Sequence, residues 1–315
     1  MGIRWARVWG VLTTLLAFAN GMANATTLGP AQDYNLFILG DATGVYSDSE
    51  GRVAIGGNAS FTGYSIGISY PPAASPNALV VNGNLTFTDG TVYGGVHHGG
   101  TGNLTRVDVK GSVTQDRPID FAAARTELTA LSSFLATQTT NGTINPTGAK
   151  GLTLTGTSST LNVFNLTAEQ FANANGRGFD IVSPVGSTVL INVAGTSPSL
   201  ENFQMYVNGS ESETNPQINN ILFNFSQATS LKDSNVSIYG SVLAPNADLD
   251  FGYNHINGTL IGKSLKGNIQ ANNYPFKGKL PPAVPEPSSI VLLGICGAGL
   301  ALATRFRNSL RADSN

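Results

Sequence analysis

The chain has 315 residues, of which only 11% are charged, and its formal net charge is −2. A chain this poor in Lys and Arg does not build the basic surface that nucleic-acid binding requires, which excludes that class of function. The single cysteine is Cys296, near the C-terminus, so the body of the chain has neither a disulfide nor thiol chemistry. Packing and backbone hydrogen bonds must hold the body together.

The N-terminus has the three parts of a secretory signal peptide. Two arginines among the first seven residues precede the apolar run Val8–Ala19, and Ala23-Asn24-Ala25 is a small-x-small cleavage site. We therefore expect residues 1–25 to be removed by cleavage after Ala25. The alternative is a short N-terminal anchor, which the length of the apolar run disfavours because a membrane span needs about 20 residues.

Short alternating apolar groups recur through the body, and each carries a glycine. Alternation is typical of a strand with one buried face, and glycine permits a tight corner. The spacing of one unit per 18–28 residues predicts stacked coils, a mainly β fold of the β-solenoid class that resembles a parallel β-helix. Equivalent corners are expected at Gly57, Gly83, Gly111 and Gly240. An antiparallel sandwich is the alternative, although its strands recur every 8–12 residues.

One segment breaks the β pattern. Residues 118–138 are rich in Ala and Leu, with Pro118 in the expected first turn, and their apolar positions recur at spacings of three and four. This spacing predicts one long α-helix that lies against the flank of the solenoid. Its buried face is expected to comprise Phe121, Ala124, Leu128, Leu131 and Leu135.

The histidines and two carboxylates are the candidate chemical groups of the body. His97 and His98 lie in a glycine-rich stretch and would point to opposite faces of a strand, so a metal site is disfavoured, and His255 is expected in a surface turn. Asp248 and Asp250 would share one strand face, where paired carboxylates can hydrolyse glycosides. Solvated acids beside a corner are the simpler interpretation.

Other motifs of chemistry are weak. The segment 48–51, Asp-Ser-Glu-Gly, offers oxygen ligands to Ca²⁺ but lacks the alternating acids of an EF-hand loop. The sequence contains no zincin motif and no P-loop. We therefore expect no catalytic residue, no cofactor and no metal.

Several blocks of the body resemble one family. The blocks are YNLFILGD (34–41), EGRVAIGGN (50–58), GSVLAPNAD (240–248) and NNYPF (272–276), and they are similar to the choice-of-anchor A domain. The resemblance spans residues 31–280 and implies a surface-associated, adhesive protein that carries one of several attachment tails. It brings no catalytic residues. The layout of strands with one long helix is also similar to that of the bacterial ice-binding solenoids.

The C-terminus combines a Pro-rich linker (281–289), a short apolar run (290–304) and a basic end (305–315). Val284-Pro285-Glu286-Pro287, followed by the apolar run and then Arg305 and Arg307, resembles the PEP-CTERM sorting signal. That resemblance implies an exosortase-type membrane protease as partner. The run 290–304 is expected to be a transmembrane helix, and the arginines are expected to keep the end in the cytoplasm. A buried core helix is the alternative.

These patterns favour an exported, surface-associated, non-enzymatic protein whose domain, residues 26–280, is structural or adhesive. It would pass through an inner-membrane-anchored intermediate and then reach the cell surface or medium, where it would bind polysaccharide or neighbouring cells. A polysaccharide-acting enzyme is one alternative. Ice binding is another, and it would need a flat array of threonines, for which the sequence offers the short alternation Leu152-Thr153-Leu154-Thr155.

Overall fold

The computed structural model describes residues 27–69, 76–252 and 254–282. Short 3-10 turns span Gly29–Ala31 and Pro216–Asn220, and the helices are α1 (Phe121–Ala136) and α2 (Ala168–Ala172). The strands in chain order are β1 Leu36–Ile38, β2 Ala42–Ser49, β3 Val53–Ile55, β4 Ala59–Ile66, β5 Leu79–Val81, β6 Leu85–Val92, β7 Val96–His98, β8 Gly102–Val109, β9 Val113–Thr114, β10 Thr143–Gly148, β11 Gly151–Thr155, β12 Leu161–Thr167, β13 Gly178–Val182, β14 Thr188–Ala194, β15 Ser199–Glu201, β16 Gln204–Val207, β17 Ile221–Asn224, β18 Ser230–Ser234, β19 Ile238–Tyr239, β20 Ser241–Phe251, β21 His255–Asn257, β22 Leu260–Gly267 and β23 Gln270–Asn272.

The strands form a parallel β-solenoid, as the sequence predicted. Nineteen strands make one continuous sheet, and β10, β11, β13 and β16 make a second, four-stranded sheet. Each coil has three straight runs: one beside α1, one formed by the first half of a long strand, and a third formed by its second half. Parallel pairing between coils satisfies the backbone, and the alternate side chains fill the interior.

The coils do not stack in chain order. On the side of α1, the strands lie in the order β12, β14, β17, β20, β22, β1, β3, β5, β7 and β9. The chain therefore starts in the middle of the stack and builds towards β9. It then runs along α1 to the opposite end of the stack. From there the chain adds coils back towards the middle, until β22 pairs with β1. Antiparallel pairing occurs between β10 and β11.

Helix α1 is the return segment, and its 16 residues cover about 24 Å, or roughly five coils at ~4.8 Å each. All five residues of the predicted apolar face are buried, which confirms that face. The helix is shorter than the predicted 118–138. The Asp120 carboxylate caps it by accepting the Ala122 and Ala123 N–H groups, so Pro118 lies before the helix and not in its first turn.

The expected equivalence of four glycine corners is wrong, because the glycines occupy two different corners. Gly57 and Gly83 are stacked where the run beside α1 ends, and the Gly83 N–H donates to the Gly57 carbonyl oxygen at 2.9 Å. Gly111 and Gly240 lie where the third run ends, at the entry to the run beside α1. A coil with three runs needs more than one kind of corner, and the apolar-x-Gly pattern does not distinguish them.

The interior is a column of apolar side chains. Phe61 and Phe87 stack on neighbouring coils with ring centroids 5.5 Å apart, and Phe61 also contacts Tyr64 at 5.1 Å. A second cluster lies between α1 and the sheet and includes Phe37 and Leu128. The packing makes the long strands rigid platforms for the side chains on their outer faces.

Within 27–69, 76–252 and 254–282, no helix is long and apolar enough to cross a membrane. The expected signal peptide, with Ala23 and Ala25, lies outside the described residues. So do the motif Val284–Pro287, the apolar run 290–304 and the arginines that follow it.

Candidate functional site

The outer side of the second run carries two straight rows of side chains across four coils, and six of the eight side chains have a hydroxyl group. In-register pairing of β2, β4, β6 and β8 aligns them, with coils about 4.8 Å apart and rows about 6.7 Å apart. One row is Thr43, Ser60, Thr86 and Asn103, and the other is Val45, Thr62, Thr88 and Thr105. We call these eight residues the hydroxyl face.

Within the part of the chain that the structure describes, the hydroxyl groups of this face are unpaired. No hydroxyl of Thr43, Ser60, Thr62, Thr86, Thr88 or Thr105 makes a hydrogen bond to another described residue. Elsewhere such groups bond to the chain itself, as Thr126 Oγ1 does to the Ala122 carbonyl oxygen at 3.1 Å. The face therefore presents a regular set of donors and acceptors to whatever lies against it.

A ladder of side chains borders the face along the first corner. Asp41 Oδ1 accepts the Asn58 N–H at 2.7 Å, Asn58 Oδ1 accepts the Asn84 N–H at 2.9 Å, and Asn84 Oδ1 accepts the Thr101 N–H at 2.8 Å. The side-chain oxygens hold the corner, while the amide nitrogens of Asn58 and Asn84 donate to no described residue. The ladder and the first hydroxyl row enclose a shallow groove of ≈ 330 Å³.

The other border of the face is a column of left-handed residues at the bend of each long strand. Tyr46, Gly63, Asp89 and Arg106 have φ between 50° and 60°. Arg106 donates to both Asp89 oxygens, at 2.6 and 2.7 Å, and this ion pair links the neighbouring strands β8 and β6. The Tyr46 side chain is 78% exposed and lies over Gly63, where a Cβ would meet its ring at 2.8 Å. An exposed aromatic ring thus stands at the edge of the hydroxyl face.

Sequence reasoning missed the hydroxyl face. It considered Thr153 and Thr155, which lie instead on β11 in the four-stranded sheet, where Thr153 Oγ1 donates to the Gly151 carbonyl oxygen at 3.4 Å. The available signal was the alignment of four eight-residue segments, ATGVYSDS, ASFTGYSI, LTFTDGTV and GNLTRVDV. Their unequal spacing along the chain conceals the match.

The side chains of His97 and His98 do not converge on one point. His97 and His98 lie on β7 in register with Val80 and Val81, which belong to different packing clusters, so the two rings face opposite sides. His97 Nδ1 lies 2.6 Å from Asp116 Oδ1, and His98 Nδ1 lies 2.9 Å from the Gly100 carbonyl oxygen. Among the residues that the structure describes, no three His, Cys, Asp or Glu side chains cluster as metal ligands.

His255 was expected in a surface turn, and that is wrong. It lies on β21, stacks on Tyr239 with centroids 6.4 Å apart, and places Nε2 at 3.2 Å from Glu213 Oε1. Neighbouring coils hold the ring in place, because Ser237 Oγ lies 3.2 Å from Nδ1. The ring is part of the contact between the third run and the loop that covers it.

The carboxylate pair does lie on one strand face, but in a setting unsuited to acid catalysis. Asp248 accepts Lys263 Nζ at 2.8 Å and Ser264 Oγ at 2.6 Å, and the lysine bond lowers the pKa of Asp248 below its usual value. Asp250 is in register between Lys232 and Lys266. A general acid needs a raised pKa, so this geometry favours surface ion pairing over glycoside hydrolysis.

Residues 48–51 make hydrogen bonds within the domain. Glu50 Oε2 accepts the Asn273 N–H at 2.8 Å, and Ser49 Oγ donates to the Gly51 carbonyl oxygen at 3.2 Å. Burial raises the pKa of Asp48, and the nearby negative charge of Glu50 raises it further. The loop therefore closes a corner, and its acids do not converge as the ligands of an EF-hand do.

A deeper carboxylate was not anticipated. Asp233 is 3% exposed, and burial raises its pKa to about 7, partly offset by the Asn254 amide that donates to Oδ2 at 3.0 Å. Its Oδ1 is buried and makes no hydrogen bond to a described residue. It lies on β18 in register with Phe251, so it points towards the interior.

The solved structures most similar in fold include three ice-binding proteins. One from the Antarctic ascomycete Antarctomyces psychrotrophicus has 16% identity and a TM-score of 0.38, covering 79% of this chain and 97% of that one. One from an Antarctic biological consortium has 12% identity and a TM-score of 0.37, covering 79% and 90%. Ice-binding protein 1 of Shewanella frigidimarina has 14% identity and a TM-score of 0.30, covering 79% and 95%. These similarities carry no conclusion about function.

No curated protein matches the chain. Two family models match it, and they cover different segments. Residues 283–307 match the PEP-CTERM protein-sorting motif, which confirms that resemblance and implies processing by exosortase-type machinery. Residues 27–273 match the model of the ice-binding-like adhesive domain. Since that model covers most of the sequence, the chain belongs to the family of ice-binding-like adhesive domains.

Proposed function

We propose that the protein is an exported surface adhesin that attaches to extracellular polysaccharide through the hydroxyl face. The observation that carries the proposal is the pair of straight rows with six hydroxyl groups that make no hydrogen bond to a described residue. A sugar chain offers hydroxyl groups of the same kind, and each hydrogen bond contributes only about 0.5–1.5 kcal/mol net. Adhesion would therefore depend on many contacts along a rigid face rather than on one pocket.

Two features beside the face support a saccharide. The groove between the Asn58–Asn84 ladder and the first hydroxyl row runs along the stack, which suits an extended chain. The exposed ring of Tyr46 offers an apolar surface on which a sugar ring can lie. No ionic residue lies within the two rows, and Asp41, which lines the groove, accepts the Asn58 N–H, so the expected ligand is neutral.

Ice is the second candidate ligand. The family description names ice binding, and the regular, neutral spacing of the rows is the feature of this chain that favours it. A lattice of water molecules would be matched by a repeated array, without help from Tyr46 or the groove. The two candidates therefore differ in which residues they need.

We further propose how the domain reaches its place of action. The sorting motif and the adhesive domain together indicate export to the cell surface. Removal of residues 1–25, a domain over 26–280, a linker over 281–289, a membrane helix over 290–304 and a basic end over 305–315 complete the proposed route. The resemblance to the choice-of-anchor A domain supports the same interpretation of a surface domain with an attachment tail.

The test uses the purified full chain on a glycan array and in an ice-adsorption assay. Replacing Thr62 and Thr88 with tyrosine should disrupt the second row and weaken glycan binding by about tenfold or more, which corresponds to the loss of about two hydrogen bonds. Thr91→Tyr is the matched control, because Thr91 lies on the same strand as Thr88 but beyond the bend, on the third run.

The outcomes separate the candidates. Glycan binding that falls in the row variant and in Tyr46→Ala, but not in Thr91→Tyr, supports the saccharide. Ice adsorption that falls in the row variant alone, without glycan binding, replaces the saccharide with ice. Equal behaviour of the row variant and Thr91→Tyr would show that the hydroxyl face is not the adhesive surface.

A further inference from the structure

The last described segment of the domain presents two lysines on one side. Residues 275–280, the terminal strap, alternate in burial: Phe276 and Leu280 are each 1% exposed and pack in the cluster beneath α1. Lys277 and Lys279 are exposed between them. Because residues two apart in an extended segment point the same way, both ammonium groups project to one side.

Hydrogen bonds fix the strap in place. The Lys277 N–H donates to the Asn219 carbonyl oxygen at 2.7 Å, and Asn219 Nδ2 donates to the Pro275 carbonyl oxygen at 2.8 Å. The Lys279 N–H donates to Thr188 Oγ1 at 2.8 Å. The backbone beneath the two lysines is therefore ordered by the coils, and only the side chains remain free to adapt.

The two lysines line a groove of ≈ 220 Å³. Its remaining lining residues are neutral: Ser159, Thr160, Leu161, Gly186, Thr188 and Asn220. No carboxylate lines it, and neither lysine forms an ion pair with a described residue. Two ammonium groups beside hydroxyl donors are a suitable arrangement for an anion with several oxygens, such as a phosphate group.

We propose that this groove binds the phosphate group of an anionic phospholipid. Lys279 lies four residues before the sorting motif begins at residue 283, so the groove is close in sequence to the segment that would enter the membrane. Lysines next to a membrane segment are attracted to anionic lipid, each by about 1 kcal/mol. The contact would hold the domain against the bilayer while the tail is processed. It does not depend on the hydroxyl face or its ligand.

The test is lysine footprinting of the full chain in lipid nanodiscs, with an amine-modifying reagent and mass spectrometry. In discs that contain phosphatidylglycerol, Lys277 and Lys279 should be modified several-fold more slowly than in discs of phosphatidylcholine alone. Added salt should restore modification, because it screens exposed charges. Lys150, which is exposed at the turn between β10 and β11, is the internal reference and should not change.

Further arms distinguish the source of the anion. Inorganic phosphate added to phosphatidylcholine discs should give little protection. Protection by phosphate alone, without a difference between the lipids, would overturn the lipid proposal in favour of a free anion. In Lys277→Gln, protection of Lys279 should be lost, whereas Lys232→Gln, on β18 and not among the residues that line the groove, should preserve it. Equal modification in both lipids, or loss of protection in both variants, would also overturn the proposal.

Discussion

Asn224 Nδ2 donates to Asn192 Oδ1 at 2.8 Å, and the two buried amides join the end of helix α1 to the solenoid. Asn224 Nδ2 also donates to the Ser132 carbonyl oxygen at 2.9 Å, and Asn224 Oδ1 accepts Ser132 Oγ at 2.6 Å. Asn192 Nδ2 donates to the Leu135 carbonyl oxygen at 2.9 Å and continues the ladder to Asn165 at 2.8 Å. The ladder therefore gives the Leu135 carbonyl oxygen a side-chain donor in addition to the Gln138 N–H, which lies 3.2 Å away.

Asn224→Ala should destabilise the protein strongly. The substitution leaves Ser132 Oγ, the Ser132 carbonyl oxygen and Asn192 Oδ1 without their amide partner, and a buried unpaired polar group costs about 1–3 kcal/mol. Urea unfolding of the full chain should show the loss. Asn165→Ala is the control, because Asn165 is the exposed end of the ladder and water can replace it. Similar losses for both would show that the ladder does not carry the effect.

Gly83→Ala should also destabilise, for lack of space. A Cβ at Gly83 would lie 2.6 Å from the Gly57 carbonyl oxygen, inside the stacked corner. That oxygen belongs to the backbone, which cannot rotate away as a flexible side chain could. We expect a lower midpoint of thermal unfolding. Gly252→Ala is the control, since the Cβ there would meet its nearest neighbour, the Asp233 carbonyl oxygen, at 3.8 Å. Unchanged stability of Gly83→Ala would contradict the close approach of the coils.

Stability should fall as the pH rises from about 4 to about 7, because of Asp233. Burial raises its pKa to about 7 in the folded protein, whereas an unfolded Asp titrates near pH ~3.9. Between those values the folded state binds the extra proton, so the free energy of unfolding decreases with pH by up to about 1.4 kcal/mol per unit. Above the folded pKa the contribution is constant.

Asp233→Asn tests this linkage. The amide keeps the shape of the carboxyl and has no charge to bury, so the variant should lose that slope between pH 4 and 7 and should be the more stable protein at pH 8. Denaturant unfolding across this range gives the slopes of both proteins. Asp250→Asn, on the exposed face of β20, should keep the wild-type slope. A wild-type slope in Asp233→Asn would show that another group is responsible.

Substitutions in the C-terminal tail should impair sorting without impairing folding. Glu286→Ala should leave membrane insertion intact but stop processing, so that full-length protein accumulates in the inner membrane. Replacing Arg305 and Arg307 should instead allow the tail to cross the membrane without being cleaved. Mass measurement of surface and membrane fractions checks both, and N-terminal sequencing should begin at Thr26. Recovery of Glu286→Ala at the surface with the same trimmed mass as wild type would contradict the role of the motif.

The solenoid class and the helix face were predictable from the sequence, because both depend on local periodicity. Alternation along a strand decides which side chains are buried, and the spacing of Phe121, Leu128 and Leu135 determines one helical face. The sorting motif is likewise a contiguous segment, and its match confirms it. The ends of α1 were predicted less exactly. The Asp120 cap places the start at residue 121, three residues after the predicted 118.

The hydroxyl face, the asparagine ladder and the glycine corners were decided by the tertiary structure. Thr43 and Thr88 belong to one surface only because β2, β4 and β6 stack in register, and that register follows from the packing of Phe61 on Phe87. Asn224 meets Ser132, 92 residues earlier, only because α1 returns along the stack. Local patterns specify which residues face outward, but contacts between distant coils determine which of those residues become neighbours.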